Sequence, residues 1–134
     1  MPRFKQEVLD FLSNHQTCRI ATSTSEGIPH IAALSYFNDD SQVFICTAKK
    51  SKKARNMTRN PRIALIVDDD LGASGWRYVV IEGMVEIVKD THEYSVIREN
   101  LYHKYPSWEA AFPITEGRDL ILVIRAQKIL IANL

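Results

Sequence analysis

The chain has 134 residues, 46% of them hydrophobic, with 17 basic and 16 acidic side chains and a formal charge of +1. That length suits one domain around a single apolar core, and the near-neutral balance excludes a global field for gathering nucleic acid or coating a membrane, so any anion site must be local. Cys18 and Cys46 lack Cys-x-x-Cys spacing, which points to neither a disulfide framework nor a zinc site and fits a reduced, cytosolic setting.

The first stretch, MPRFKQEVLDFL, carries acidic residues inside its apolar pattern and has no long hydrophobic run, so it reads as neither a signal peptide nor a membrane span. Phe4, Val8, Phe11 and Leu12 recur at helical spacing and predict an amphipathic helix from residue 3 to about 14, covering one end of a sheet. A short strand follows from Cys18 to Ser23, then turn chemistry at Ser25-Glu26-Gly27 and a second strand from Pro29 to Phe37. Asn38-Asp39-Asp40-Ser41 makes another polar turn before a strand from Val43 to Thr47. Connections this short imply antiparallel neighbours.

The next segment brings charge and element pattern together. A lysine-rich turn leads to a short helix opening at Ser51, and Asn60-Pro61 ends it, because the residue before proline is pushed out of the helical region. Ser51 is a good N-cap residue, and the first turn after it presents unpaired N–H groups at the positive end of the helix dipole. With Lys52 and Lys53 added, the turn could hold a phosphate. On spacing alone, Lys49, Lys50, Lys52 and Lys53 read first as a solvated turn, with the phosphate site as the alternative.

Ile63 to Val67 is apolar on both faces and suits a strand buried on two sides. The Asp68-Asp69-Asp70 cluster is not a metal site, since consecutive residues on an extended chain point to opposite faces. Leu71 to Gly75 reads as a loop, and Trp76 to Lys89 as the longest strand, with Gly83 marking a bulge or bend. Asp90 with Glu93 opens a helix that ends near Tyr105-Pro106, and Trp108 to Phe112 continues as a short second helix. The last strand runs from Leu120 to Ile131, bent near Arg125-Ala126-Gln127. His15, His30, His92 and His103 have no metal-ligand spacing, and no catalytic residue stands out.

Six strands with short early turns and few helices predict a mainly β fold, a small antiparallel barrel of Greek-key type, spanning residues 1–134 as a single domain. Apolar stretches at 63–67, 79–81 and 120–124 exceed what one barrel face needs and suggest a dimer interface.

Several short motifs occur in order: Ala21-Thr22 before Glu26-Gly27, then Pro29-His30; Thr47 four residues before Ser51-Lys52-Lys53, with Asn56 next; Asn60-Pro61-Arg62; and Ile81-Glu82-Gly83. In this the chain resembles the flavin-binding split barrels typified by pyridoxamine 5'-phosphate oxidase, over residues 20 to about 90. The resemblance implies that Lys52 and Lys53 hold the phosphate of FMN, with hydroxyls from Ser51 and Thr47 beside it. It implies that the strand from His30 through Ala33, Leu34 and Ser35 runs along the isoalloxazine, with Cys46 where relatives have an aromatic residue and Tyr78 near the flavin's polar edge. It also implies a homodimer with FMN in a groove between subunits. Residues 124–134 carry neither the tryptophan nor the Arg-His pair that closes the pyridoxal-phosphate pocket of those oxidases, so the substrate stays open.

Three readings follow. The first is a cytosolic FMN-dependent oxidoreductase acting on a small molecule, with a deazaflavin coenzyme as an alternative occupant of the same lysines. The second is a non-catalytic flavin or haem binder serving as carrier or sensor. The third, a nucleic-acid-binding barrel using the basic residues from Lys49 to Arg62, is disfavoured by the near-neutral charge.

Overall fold

The computed structural model describes residues 3–70 and 75–134. The elements run α1 (Gln6–Ser13), β1 (Thr17–Ser23), β2 (Pro29–Asn38), β3 (Gln42–Ala48), α2 (Lys52–Arg59), β4 (Arg62–Asp70), β5 (Trp76–Ile87), α3 (Thr91–Lys104), α4 (Trp108–Ala111) and β6 (Asp119–Ala132). All six strands pair antiparallel and close into a barrel in the order β1-β2-β3-β6-β5-β4, the predicted architecture. Except for Gly75, the loop expected over Leu71 to Gly75 lies outside the described residues.

Side chains alternate between the inside and outside of this barrel, as the strand period requires. Cys18, Ile20, Tyr36, Val43, Ile45, Leu65, Val67, Val79, Ile81, Leu122 and Ile124 fill the interior. The first helix closes one end of the barrel with Val8, Phe11 and Leu12, and the Tyr36 hydroxyl donates to the Leu12 carbonyl at 2.6 Å. It starts at Gln6 rather than residue 3, because Lys5 is extended and the Phe4 N–H donates instead to the Asp40 carbonyl at 2.7 Å.

The third helix covers part of the outer wall, packing Tyr94, Ile97 and Leu101 on Phe44, Ile121 and Val123. Burial on both sides of β6 therefore accounts for the apolar stretch at 120–124, which the sequence pattern had suggested for a dimer interface. Exposed apolar residues cluster elsewhere, at Trp76 and at Ile129, Leu130 and Ile131. The Asp90 carboxylate caps α3 by accepting from the Glu93 N–H at 2.9 Å, as predicted. At the other end of the helix, the Tyr105 hydroxyl bonds with the N–H and C=O of Tyr36 and with the Gln16 carbonyl, standing in for a ladder rung beyond the Thr17–Ser35 pair. Lys104 beside it turns inward, with Nζ buried 3.9 Å from the centre of the Tyr36 ring and no hydrogen-bond partner among the described residues.

Gly83 sits at an irregularity, as expected. The register steps from Glu82↔Lys128 to Gly83↔Ala126, so Gln127 on β6 is the extra residue of a bulge. A Cβ at position 83 would lie 2.2 Å from the Arg125 carbonyl oxygen, so only glycine fits. The aspartates of β4 diverge, as the pleat requires: Asp68 faces Arg19 and the Trp76 indole, while Asp69 accepts from Arg77 and His15. No group of His, Cys, Asp and Glu among the described residues could hold a metal ion, and no helix there is long and apolar enough to cross a membrane.

Candidate functional site

The basic turn between β3 and α2 folds as its sequence dictates. Ser51 is extended at the N-cap, and its Oγ accepts from the Ala54 N–H at 3.2 Å. The Arg55 N–H bonds to the Ser51 carbonyl, which leaves the Lys52 and Lys53 N–H groups as donors that the helix itself cannot satisfy. Thr47 is buried at the end of β3, and its hydroxyl shares a hydrogen bond with Ser51 Oγ at 3.1 Å. Two hydroxyls joined by one bond keep one hydrogen for a further acceptor. Lys52 is exposed and Lys53 half-buried, and the first turn contains no acidic residue. Positive side chains at the positive end of a helix repel it by roughly 0.3–1 kcal/mol each, unless an anion lies between them.

Three features recognised in the sequence turn out to dock this helix. Asn56 is buried and its amide donates to Thr22 Oγ1 at 3.1 Å, while the Asn60 amide donates to Ser23 Oγ at 2.9 Å. Met57 enters the core from the same helix. Thus Ala21-Thr22, Asn56 and Asn60-Pro61 together hold α2 against β1, fixing where its first turn points.

The second strand supplies an edge. From Pro29 to Ser35 it pairs with β1, whereas β3 pairs only with Tyr36–Asn38. Residues along a strand present backbone groups to alternate edges. Because the Tyr36 N–H and C=O meet the Tyr105 hydroxyl, which also bonds with the Gln16 carbonyl on the β1 side, Ile31, Ala33 and Ser35 direct theirs toward the edge that β3 has left. Leu34 turns its side chain to the core and its backbone to Cys18. His30 pairs with Thr22 and is half-buried at the barrel end.

Tyr78 lies elsewhere. It pairs with Asp68 and Ala132 on β5, and its ring meets Trp76 edge-on at 5.8 Å. In the strand order β2 and β5 are three steps apart in either direction, on opposite walls. The Ser51 turn follows Ala48, which pairs with Asp119 at the start of β6, whereas Tyr78 pairs with Ala132 at the end of β6, so one barrel does not bring Tyr78 to that turn.

A groove of about 540 Å³ escaped the sequence reading. It runs from Cys46, Thr47 and Ala48 past Trp108 and Phe112 to Arg118 and Asp119. Burial pushes the Cys46 thiol up to about 12, so this cysteine is a neutral wall rather than a nucleophile. The residues after α3 have no periodicity that would have marked them as one side of a cavity.

Comparison with known proteins places this geometry. Residues 4–131 match the family model described as pyridoxamine 5'-phosphate oxidase. General stress protein 26 of Bacillus subtilis is 31% identical over 83 residues, covering 62% of this chain and 59% of that protein. The haem storage protein HutZ from Vibrio cholerae has the same fold, with a TM-score of 0.82 and 13% identity over 97% of this chain and 95% of that one. An F420 reductase superposes with a TM-score of 0.69 and 25% identity, covering 97% and 98%. The family model spans both the turn and the barrel that carries it, and the chain belongs to the pyridoxamine 5'-phosphate oxidase family.

Proposed function

We propose that this protein is an FMN-dependent oxidoreductase acting on a small molecule, with the flavin phosphate at the Ser51–Lys53 turn and its ring along the β2 edge. The observation that carries this reading is the pair of lysines on the positive end of α2 with no acid in the first turn. Phosphate supplies the missing negative charge, and meets two N–H groups, a hydroxyl hydrogen and two ammonium groups. The backbone groups of Ala33 and Ser35 suit the polar rim of an isoalloxazine, which supplies electron transfer when bound. The chain's own residues bind and orient it. Because Tyr78 pairs with the end of β6 far from that turn, contact between Tyr78 and the same flavin requires a second copy of the chain, in keeping with a homodimer.

The likeness to an F420 reductase favours a second reading, in which a deazaflavin phosphate occupies the same turn. A flavin or haem carrier without turnover would also share this fold. The visible spectrum of the purified protein, with and without added FMN, tests the first reading. A flavin spectrum that is lost in the Lys52→Ala/Lys53→Ala variant supports it. Each charge-assisted bond removed is worth about 1.5–3 kcal/mol, so FMN affinity should fall at least tenfold. A protein that takes up no FMN, or a double variant that binds it as tightly, refutes the assignment. Bleaching by NADH or NADPH and reoxidation by an acceptor separates turnover from carriage.

A further inference from the structure

We propose that the outer face of α2 docks on the backbone of duplex DNA, with Lys49 and Lys50 on one bank of the major groove and Arg55, Arg59 and Arg62 reaching across to the other. The flavin reading is not needed for this, since Lys52 and Lys53 are left to the phosphate already assigned to them.

The near-neutral total that spoke against a nucleic-acid reading hides a segregation of charge. From Ser41 to Val67 the chain has seven basic residues and no acidic one, so the remainder holds 10 basic against 16 acidic side chains. Ion pairing divides the arginines in the same way. Arg3, Arg19, Arg77, Arg118 and Arg125 each meet a carboxylate, and Arg98 lies over the Tyr94 ring. Arg55, Arg59 and Arg62 are exposed, and none of their guanidinium groups has an acid or a ring beside it among the described residues. Arg55 and Arg59, four apart on one helix face, repel each other. An arginine that pairs with nothing in its own chain keeps its whole planar fork for a phosphate.

Geometry selects the form of nucleic acid. The eight residues of α2, Lys52–Arg59, make a rod about 12 Å long, with Asn56 and Met57 turned to the barrel and Arg55 and Arg59 left outside. Lys49 and Lys50 precede this rod, and Arg62 opens β4 beyond it. The basic groups at its two ends therefore stand apart by about the width of the major groove of B-DNA, also about 12 Å, whereas the same groove in duplex RNA is narrow. No aromatic residue occurs from Ile45 to Gly75, so this face has no platform for stacking unpaired bases. Contacts to phosphate alone make the binding independent of sequence. The acidic remainder of the chain repels the duplex and leaves α2 as the side that approaches it.

Fluorescence anisotropy of the full chain with a labelled DNA duplex of about two helical turns, followed over a salt series in excess FMN, tests this. Five phosphate contacts give a slope of about −4.5 in log affinity against log salt, or roughly 500-fold weaker binding at about 200 mM than at about 50 mM. Arg55→Gln/Arg59→Gln/Arg62→Gln, at three exposed positions, should bring the slope to about −2 and leave FMN retention and Tm unchanged. Lys49→Gln/Lys50→Gln should bring it to about −3. A duplex that does not bind at about 50 mM salt, or a triple variant with the wild-type slope, overturns the proposal. So does duplex RNA, oligothymidylate or poly-L-glutamate of matching charge that binds as tightly as duplex DNA, the last marking α2 as a face for an acidic protein. DNA binding by a protein that takes up no FMN leaves this face standing and removes the flavin assignment; FMN uptake without DNA binding does the reverse.

Discussion

Replacing Lys104 by methionine should stabilise the protein at neutral pH. Its ammonium is buried over the Tyr36 ring without a hydrogen-bond acceptor among the described residues, and burial lowers it from 10.5 to about 8. Carried through linkage, that depression corresponds to at most about 3 kcal/mol of destabilisation at pH 7. Attraction by the Tyr36 face and solvent screening along the lysine stem reduce it to about 1–2 kcal/mol. The sign is set by proton binding: between pH 8 and 10.5 the unfolded chain holds a proton that the folded one has released, so stability rises with pH there. Below that window the full penalty applies; above it, none does. Lys104→Met should raise Tm by roughly 3–7 °C at pH 7 for a chain of this length, and the gap from wild type should close towards pH 10.5. Differential scanning calorimetry at pH 7, 8.5 and 10 reads both effects. A variant less stable at pH 7, or a gap that does not change with pH, refutes the reasoning.

The barrel makes further predictions. Gly83→Ala should destabilise by about 2–4 kcal/mol in urea unfolding, because its Cβ would lie 2.2 Å from the Arg125 carbonyl oxygen and backbone must shift. Asn56→Ala leaves buried Thr22 Oγ1 without its donor; a loss of about 1–3 kcal/mol is expected, with weaker FMN retention as α2 loosens. Asp69 is held below the ordinary carboxylate range, first by the Arg77 hydrogen bond and then by His15. Its contribution is complete above pH 3.8 and is lost as pH falls through its lower folded value, so acid unfolding of Asp69→Asn should show a shallower pH dependence than wild type.

What could be read from residues was what local physics determines. Ser51 as N-cap, Asp90 as N-cap and Gly83 at an irregularity follow from backbone geometry that few other side chains satisfy. The strand alternation was equally legible, since one barrel face must be apolar. By contrast, the apolar stretch at 120–124 pointed outward for a reason that no local pattern shows, namely the packing of α3 across the wall. Lys104 looked like any residue in the last turn of a helix, where cations are favoured, and only the approach of Tyr36 reveals its burial. The groove of Trp108, Phe112 and Arg118 was invisible because its facing wall, Cys46 to Ala48, lies sixty residues or more away.

The separation of Tyr78 from the lysine turn, at opposite ends of β6, has a genetic consequence. If Lys52, Lys53 and Tyr78 serve one flavin, each cleft draws on both polypeptides, and lesions in different halves can cancel. Chains lacking the lysines and chains lacking the tyrosine, each colourless alone, would on co-expression pair into heterodimers with one sound cleft and one doubly damaged cleft. Yellow colour would return, to no more than half of the clefts in such a pair.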